Sequence, residues 1–214
     1  MEITRRQFGG HLVKGAAIAT LAASTIELGG CSVFTDIENW VPVGEAALNS
    51  ILAELAANNV PLSSEAQAIV KDIEAGFDAI TAAVQEYQST TPPPVGALAK
   101  VQTAFKDVVD QLSAFLSNLA LPGGNIVTLI SGLASIVFST IAAFLNKLPA
   151  LATVTAIGPI HSYRLSGLTY TVTAKYRTRR GFKKDWNSQL DSAKSKGVVV
   201  TQAAYMKLSL FEHF

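Results

Sequence analysis

Apolar residues recur at intervals of three and four along the first two-thirds of the chain, the spacing that gathers side chains on one face of an α-helix. Ile37, Trp40, Val41, Gly44, Leu48, Ile51, Leu52 and Leu55 predict a first helix. Pro42 is tolerated only in a first turn, so the start is expected near Asn39, whose side chain can cap it. Asn58-Asn59-Val60-Pro61 ends this helix. Ser64 followed by Gln67 has the capping-box spacing, and behind it Ala66, Ile69, Val70, Ile73, Phe77, Ile80, Val84 and Tyr87 repeat the same face. Ser89-Thr90-Thr91-Pro92-Pro93-Pro94 stops the second helix, because consecutive prolines cannot continue it and favour an extended spacer. Leu98, Val101, Phe105, Val108, Leu112, Phe115 and Leu119 then form an unbroken seam of the kind that helices packed at a shallow angle require. After Leu121-Pro122-Gly123-Gly124, Asn125 is placed to cap a fourth helix reaching about Lys147.

Four helices joined by links of roughly five to seven residues are best satisfied by reversal at each link. The expected fold is therefore mainly α: an antiparallel up-down four-helix bundle over residues 31–148, followed by a small basic C-terminal α/β appendage over 149–214. The fourth helix differs from the others. Its apolar residues (Ile126, Leu129, Ile130, Leu133, Ile136, Val137, Ile141, Phe144, Leu145) spread beyond one stripe, and no charged residue occurs between Asp110 and Lys147. A helix buried on most sides reads this way. So does a membrane span, since 125–145 is long enough to cross a bilayer and Ser131, Gly132, Ser135 and Ser139 suit a small-residue interface between membrane helices. The polar faces of the other three helices need water and favour the buried core helix.

Beyond Pro149 the pattern changes. Residues 152–157 and 168–176 are rich in β-branched and aromatic residues, with alternation in the second, and predict one or two strands. Phe182, Trp186, Leu190 and Ala193 are spaced for a short helix ending at Gly197. Residues 198–201 and 205–211 are further strand candidates.

The N-terminus carries a different signal. Arg5, Arg6 and Lys14 precede a weakly apolar run over 16–26, which is too short to span a bilayer of about 30 Å and fits a secretory signal. Thr4-Arg5-Arg6-Gln7-Phe8 resembles the twin-arginine translocation signal, with a hydroxyl residue before the pair and Phe8 two places after it. Leu28-Gly29-Gly30-Cys31 is similar to the lipobox of bacterial lipoproteins, and Cys31 is the single cysteine of the chain. A lone thiol in an oxidising compartment forms no internal disulfide, so a covalent lipid gives it a role. The resemblance covers only this opening segment. It implies an export signal over 1–30, lipid attachment at Cys31 and anchoring on the periplasmic side, with Ser32 favouring the outer membrane over the inner. The blander alternatives are an amphipathic first helix and a small buried thiol.

Charge sharpens the division between bundle and tail. Residues 31–162 hold four lysines against eleven acids, net −7, whereas 163–214 hold ten Lys or Arg against three acids, net +7, which places a module boundary near His161. Arg177, Arg179, Arg180, Lys183 and Lys184 fall within eight residues, close to Phe182 and Trp186. Such a cluster suits an anionic surface, with Trp186 at the interface. In the envelope the candidate partners are lipid headgroups, cell wall or another protein; nucleic acid is not expected. The cluster can equally dock on its own acidic bundle or on a neighbouring copy, and the oligomeric state is left open. No catalytic constellation is legible: His161 and His213 are far apart, no serine sits in a nucleophile elbow, and Gly123-Gly124 reads as a turn. The acids of the second helix lie mainly off its apolar stripe. The expected function is thus a lipid-anchored, non-enzymatic envelope protein without cofactor or metal. The alternative is a membrane-inserting or pore-forming protein that uses the third and fourth helices as an apolar hairpin.

Overall fold

A computed structural model describes residues 9–148, 160–175 and 177–206. Its elements in chain order are α1 (Gly9–Ala57), α2 (Ser64–Gln88), α3 (Ala97–Ser117), α4 (Asn125–Lys147), the strands β1 (Ile160–Leu165) and β2 (Leu168–Thr173), α5 (Arg179–Ser195) and a 3₁₀ turn at Gln202–Ala204. The fold is mainly α with a small α/β part at the C-terminus, as the periodicity predicts.

Contacts along α1–α2 and along α2–α3 run in opposite directions. On α1 and α2, Phe34 stacks on Tyr87 at 4.0 Å while Trp40 meets Phe77 at 6.1 Å. On α2 and α3, Glu86 pairs with Lys100 at 2.7 Å and Gly76 packs against Val108. Trp40 lies 5.6 Å from Phe144 of α4, and Phe105 of α3 lies 6.3 Å from the same ring. Trp40, Phe77, Phe105 and Phe144 thus supply one aromatic ring from each helix to a single layer of the antiparallel bundle. Their offset and tilted pairings add to the area they bury.

Three helix starts differ from expectation. α1 does not begin near Asn39; it is already helical from Gly9 and carries Pro42 in its interior. Phe34 and Ile37 are fully buried, so the apolar face extends past the proline toward the N-terminus, while Pro42 itself is exposed. An interior proline forfeits one backbone hydrogen bond and strains the preceding turn. Here it is flanked by buried Trp40, Val41 and Val43, whose packing offsets that loss. The cap of α2 is Ser63 rather than Ser64: the Ser63 hydroxyl accepts from the Ala66 N–H at 3.1 Å, and Gln67 Nε2 donates to the Leu62 carbonyl at 3.3 Å. Asn125 does not cap α4. Gly124 holds that position without a side-chain bond, and Asn125 Nδ2 instead donates to the Lys196 carbonyl at 2.8 Å.

The C-terminal third forms a second layer over α4. β1 and β2 pair antiparallel through a two-residue turn at Ser166 and Gly167, with φ of 50° and 80°. Positive φ at both central residues gives the turn a twist that matches the strands. The residue pattern does not foretell β1, and the strand expected over 152–157 lies outside the described residues. β1 packs on α3 and α4, α5 packs on α4, and the 3₁₀ turn packs on α1. The module boundary near His161 is therefore no break in the core, because Tyr163, Leu165, Val172, Phe182, Trp186 and Leu190 join the same buried cluster as the bundle.

The expected strand at 198–201 is an irregular strap with no ladder partner. It is held instead by α5 and by the end of α1: the Val198 N–H donates to the Ala193 carbonyl at 3.1 Å, Asn58 Nδ2 donates to the Val199 carbonyl, and the Thr201 N–H and hydroxyl both donate to Glu54 Oε1, the last three at 2.8 Å. Residues 207–211 lie outside the described residues.

Candidate anion-binding surface

α5 carries most of the basic cluster. Thr178 caps it by accepting from the Gly181 N–H at 3.2 Å, and Gly197, at φ 82°, follows its last turn. Phe182, Trp186, Leu190 and Ala193 recur on one face and are buried there. That spacing turns the cations between them outward: Arg180 and Lys184, one turn apart, are exposed, while Arg179 and Lys183 are half-buried at the edges.

Two members of the predicted cluster do not belong to this surface. Trp186 is fully buried, stacked on Phe182 at 5.6 Å, and its indole N–H donates to the Ala204 carbonyl at 3.1 Å, so it cannot enter a membrane interface while the fold is intact. Phe182 is equally buried. Arg177 is turned inward: its side chain is 9% exposed, Nε donates to Asp185 Oδ2 at 2.8 Å, and Nη1 donates to the Ser139 hydroxyl and to the Lys175 carbonyl at 3.2 Å. Lys175 reaches the same Asp185 oxygen at 3.1 Å. Burial pushes the Asp185 carboxyl up, but hydrogen bonds from Arg177 and Lys175, with their charges, hold it below the ordinary carboxylate value. Arg177 and Asp185 thus fasten the start of α5 to α4.

The seam between the layers accounts for the small polar stripe of α4. Tyr163 lies between Phe138 and Tyr170 at 4.8 and 5.3 Å, donates to the Ser131 carbonyl at 2.7 Å and accepts from the Ser135 hydroxyl at 3.0 Å. Burial raises its phenol to about 12. Gly132 faces Gln189, whose Nε2 donates to the Thr128 carbonyl at 3.4 Å. Ser131, Gly132, Ser135 and Ser139 are the places where β1 and α5 dock. α4 is long and apolar enough to cross a membrane, with mean hydropathy 2.1, yet 83% of its most apolar stretch lies inside the fold.

Sequence reasoning also misses Glu54, fully buried on α1. One oxygen holds Thr201, while Oε2 has no hydrogen-bond partner. Nearby, Ser50 donates to the Ala204 carbonyl at 2.7 Å. The only advance signal is a single acid on an otherwise apolar helix face. These groups hold the strap; no nucleophile and base are brought together there.

Among the described residues, no group of three or more His, Cys, Asp or Glu is placed to hold a metal. A cavity of about 10 Å³ between Gly44, Phe77, Phe115 and Phe138 is too small for a ligand. An open groove of about 500 Å³ between α2 and α3 is lined mainly by alanines.

The basic surface lies toward one end of the bundle. Lys175 N–H donates to the Ser139 carbonyl at 2.9 Å, and α5 then runs antiparallel to α4 until Lys196 meets Asn125. Arg179 and Arg180 therefore lie toward the C-terminal half of α4, the end where α1 leads back to Cys31. Cys31 and positions 28–30 belong to α1. Arg5, Arg6 and Phe8 lie outside the described residues. No protein-family model matches the chain, and no curated protein or solved structure matches it.

Proposed function

We propose that the protein is a lipid-anchored, non-enzymatic component of the bacterial envelope, exported through its twin-arginine signal, attached at Cys31 and held against an anionic surface by α5. The observation that carries the anchor is Leu28-Gly29-Gly30-Cys31 behind a paired-arginine signal, in a chain with one cysteine. Support for the anionic partner comes from the first turns of α5, where Arg179, Arg180, Lys183 and Lys184 crowd the positive end of a helix that has no acid in its first turn. Cations there oppose the helix dipole by about 0.3–1 kcal/mol each, a cost that a bound anion reverses. The partner is an anionic lipid surface, with cell wall or an acidic protein as the other candidates, and the expected destination is the outer membrane.

Metabolic labelling with a fatty acid tests the anchor: label should appear in the protein and vanish in Cys31→Ala. An unlabelled protein, or label that survives the substitution, ends the reading. The basic surface is tested by sedimenting the protein with phosphatidylglycerol vesicles. At roughly 1 kcal/mol for each cation near such a surface, Arg180→Glu with Lys184→Glu should reduce binding at least tenfold at low salt. Membrane insertion through α3 and α4 is the second reading, motivated by the length and hydropathy of α4. Recovery of Cys31→Ala from the soluble periplasmic fraction would count against it.

A further inference from the structure

The link between α2 and α3 is an uncharged tip at the end of the bundle where the chain leads to the attachment cysteine. Residues 89–96 include two threonines, three prolines and Val95, without an acid or a base. The tip is a fixed turn: the Ala97 N–H donates to the Pro94 carbonyl at 3.1 Å, and Gly96 takes φ 85°, a conformation that suits glycine. Val95 stands at its apex with relative exposure 106%, above that of every other large apolar side chain in residues 33–148, 162–175 and 177–206. Three prolines and a closed turn leave little backbone freedom to be lost on contact.

Position relative to Cys31 gives this tip its meaning. Phe34 of α1 stacks at 4.0 Å on Tyr87, in the last turn of α2, immediately before the tip. Cys31 precedes Phe34 by three residues of the same helix, less than one turn and about 5 Å of rise. The attachment residue and the tip therefore occupy one end of the bundle. The charges that flank the tip on α2 and α3, Glu86 and Lys100, pair with each other at 2.7 Å. Among the described residues, two other exposed large apolar side chains are elsewhere: Leu168 sits at the hairpin turn, whose strand β1 passes Ser117 at the C-terminal end of α3, and Val199 sits on the strap beside Asn58.

We infer that the tip over residues 92–95 is a bilayer-contacting surface that enters the headgroup region beside the acyl chain on Cys31 and fixes the bundle upright on the membrane. The inference rests on the lipid-anchor reading and adds to it an orientation and a second point of contact. Attachment at Cys31 alone would hold the protein at the membrane without fixing its tilt, whereas an uncharged, preorganised tip next to it restricts the body to one pose.

The test uses the full-length protein with its only thiol, Cys31, coupled chemically to a maleimide lipid in phosphatidylcholine vesicles whose acyl chains are brominated. Val95→Trp and Leu168→Trp each add one indole at an exposed position to the two buried ones already present. The added emission of Val95→Trp should shift to shorter wavelength and lose at least half its intensity to bromine, while that of Leu168→Trp stays unchanged. Equal quenching at both positions, or none at position 95, overturns the inference. Because the lipid is attached chemically, these outcomes do not depend on what the cell attaches to Cys31, which fatty-acid labelling decides separately.

Discussion

α2 and α4 are helices of similar length in the same bundle, yet they meet opposite surroundings. α2 buries one stripe, from Ala66 to Val84, and turns Glu65, Asp72, Glu74 and Asp78 to solvent. α4 is covered by α1 and α3 on one side and by β1, β2 and α5 on the other, and is buried almost continuously from Ile126 to Leu145. The four-helix bundle alone would leave the outer face of α4 uncovered. The C-terminal layer covers the apolar outer face of α4, and the hydroxyls on α4 are among the polar contacts by which that layer is seated.

The contrast can be broken most strongly at Trp186, the largest side chain that the second layer buries. Trp186→Ala should lower unfolding free energy by about 3–5 kcal/mol, read by denaturant titration, and should raise dye binding as the outer face of α4 is uncovered. A loss under about 1 kcal/mol would mean that the layer is not part of the cooperative unit. Next come the close approaches. A Cβ on Gly76 of α2 would fall 2.6 Å from Val108 Cγ2, within a tightly packed seam, whereas one on Gly132 of α4 would fall 2.1 Å from the terminal nitrogen of Gln189, which can swing away. Gly76→Ala should therefore cost about 1–3 kcal/mol, while Gly132→Ala should be roughly neutral, since alanine favours the helix by up to about 1 kcal/mol.

Tyr163→Phe removes two hydrogen bonds across the seam and should cost about 1 kcal/mol, measured at neutral pH. Its titration supplies a sign. The phenol is raised to about 12 in the fold from 10.0, so the folded state keeps its proton longer than the unfolded chain. Stability is complete below about pH 10 and falls as pH rises toward 12, and the phenylalanine variant should lose part of that alkaline decline. Asp185 behaves in the opposite sense: its carboxyl is held low, so its contribution is present above the ordinary carboxylate value and is lost as pH falls through the folded one. Asp185→Asn should flatten the acid limb of the stability curve. The smallest effect belongs to the exposed face of α2, where Lys71→Ala should change stability by no more than about 0.5 kcal/mol.

The legibility of each region follows from how locally it is specified. α2, α3 and α5 can be read because an amphipathic face repeats within a single helix, and the turn after α5 because Gly197 tolerates positive φ. The start of α1 is misplaced because Pro42 locally argues for a first turn; that Phe34 continues the face matters only once Tyr87 is beside it. β1 escapes notice although Ser166-Gly167 is a hairpin turn, because the interior of the strand holds few β-branched residues. Charge pattern groups Arg177 and Trp186 with the surface cations, yet one closes an ion pair with Asp185 and the other fills the core. Sequence proximity does not specify which face a side chain occupies.

By itself the amino-acid order determined four helices, their reversal at short links and the basic helix of the tail, because all of these are written in spacings of a few residues. Tertiary structure alone decided that the tail covers α4, that the small-residue stripe is a seam between layers, and that the uncharged α2–α3 tip shares an end with Cys31. Those facts depend on which distant segments meet, and that choice is made by the burial of one continuous apolar core.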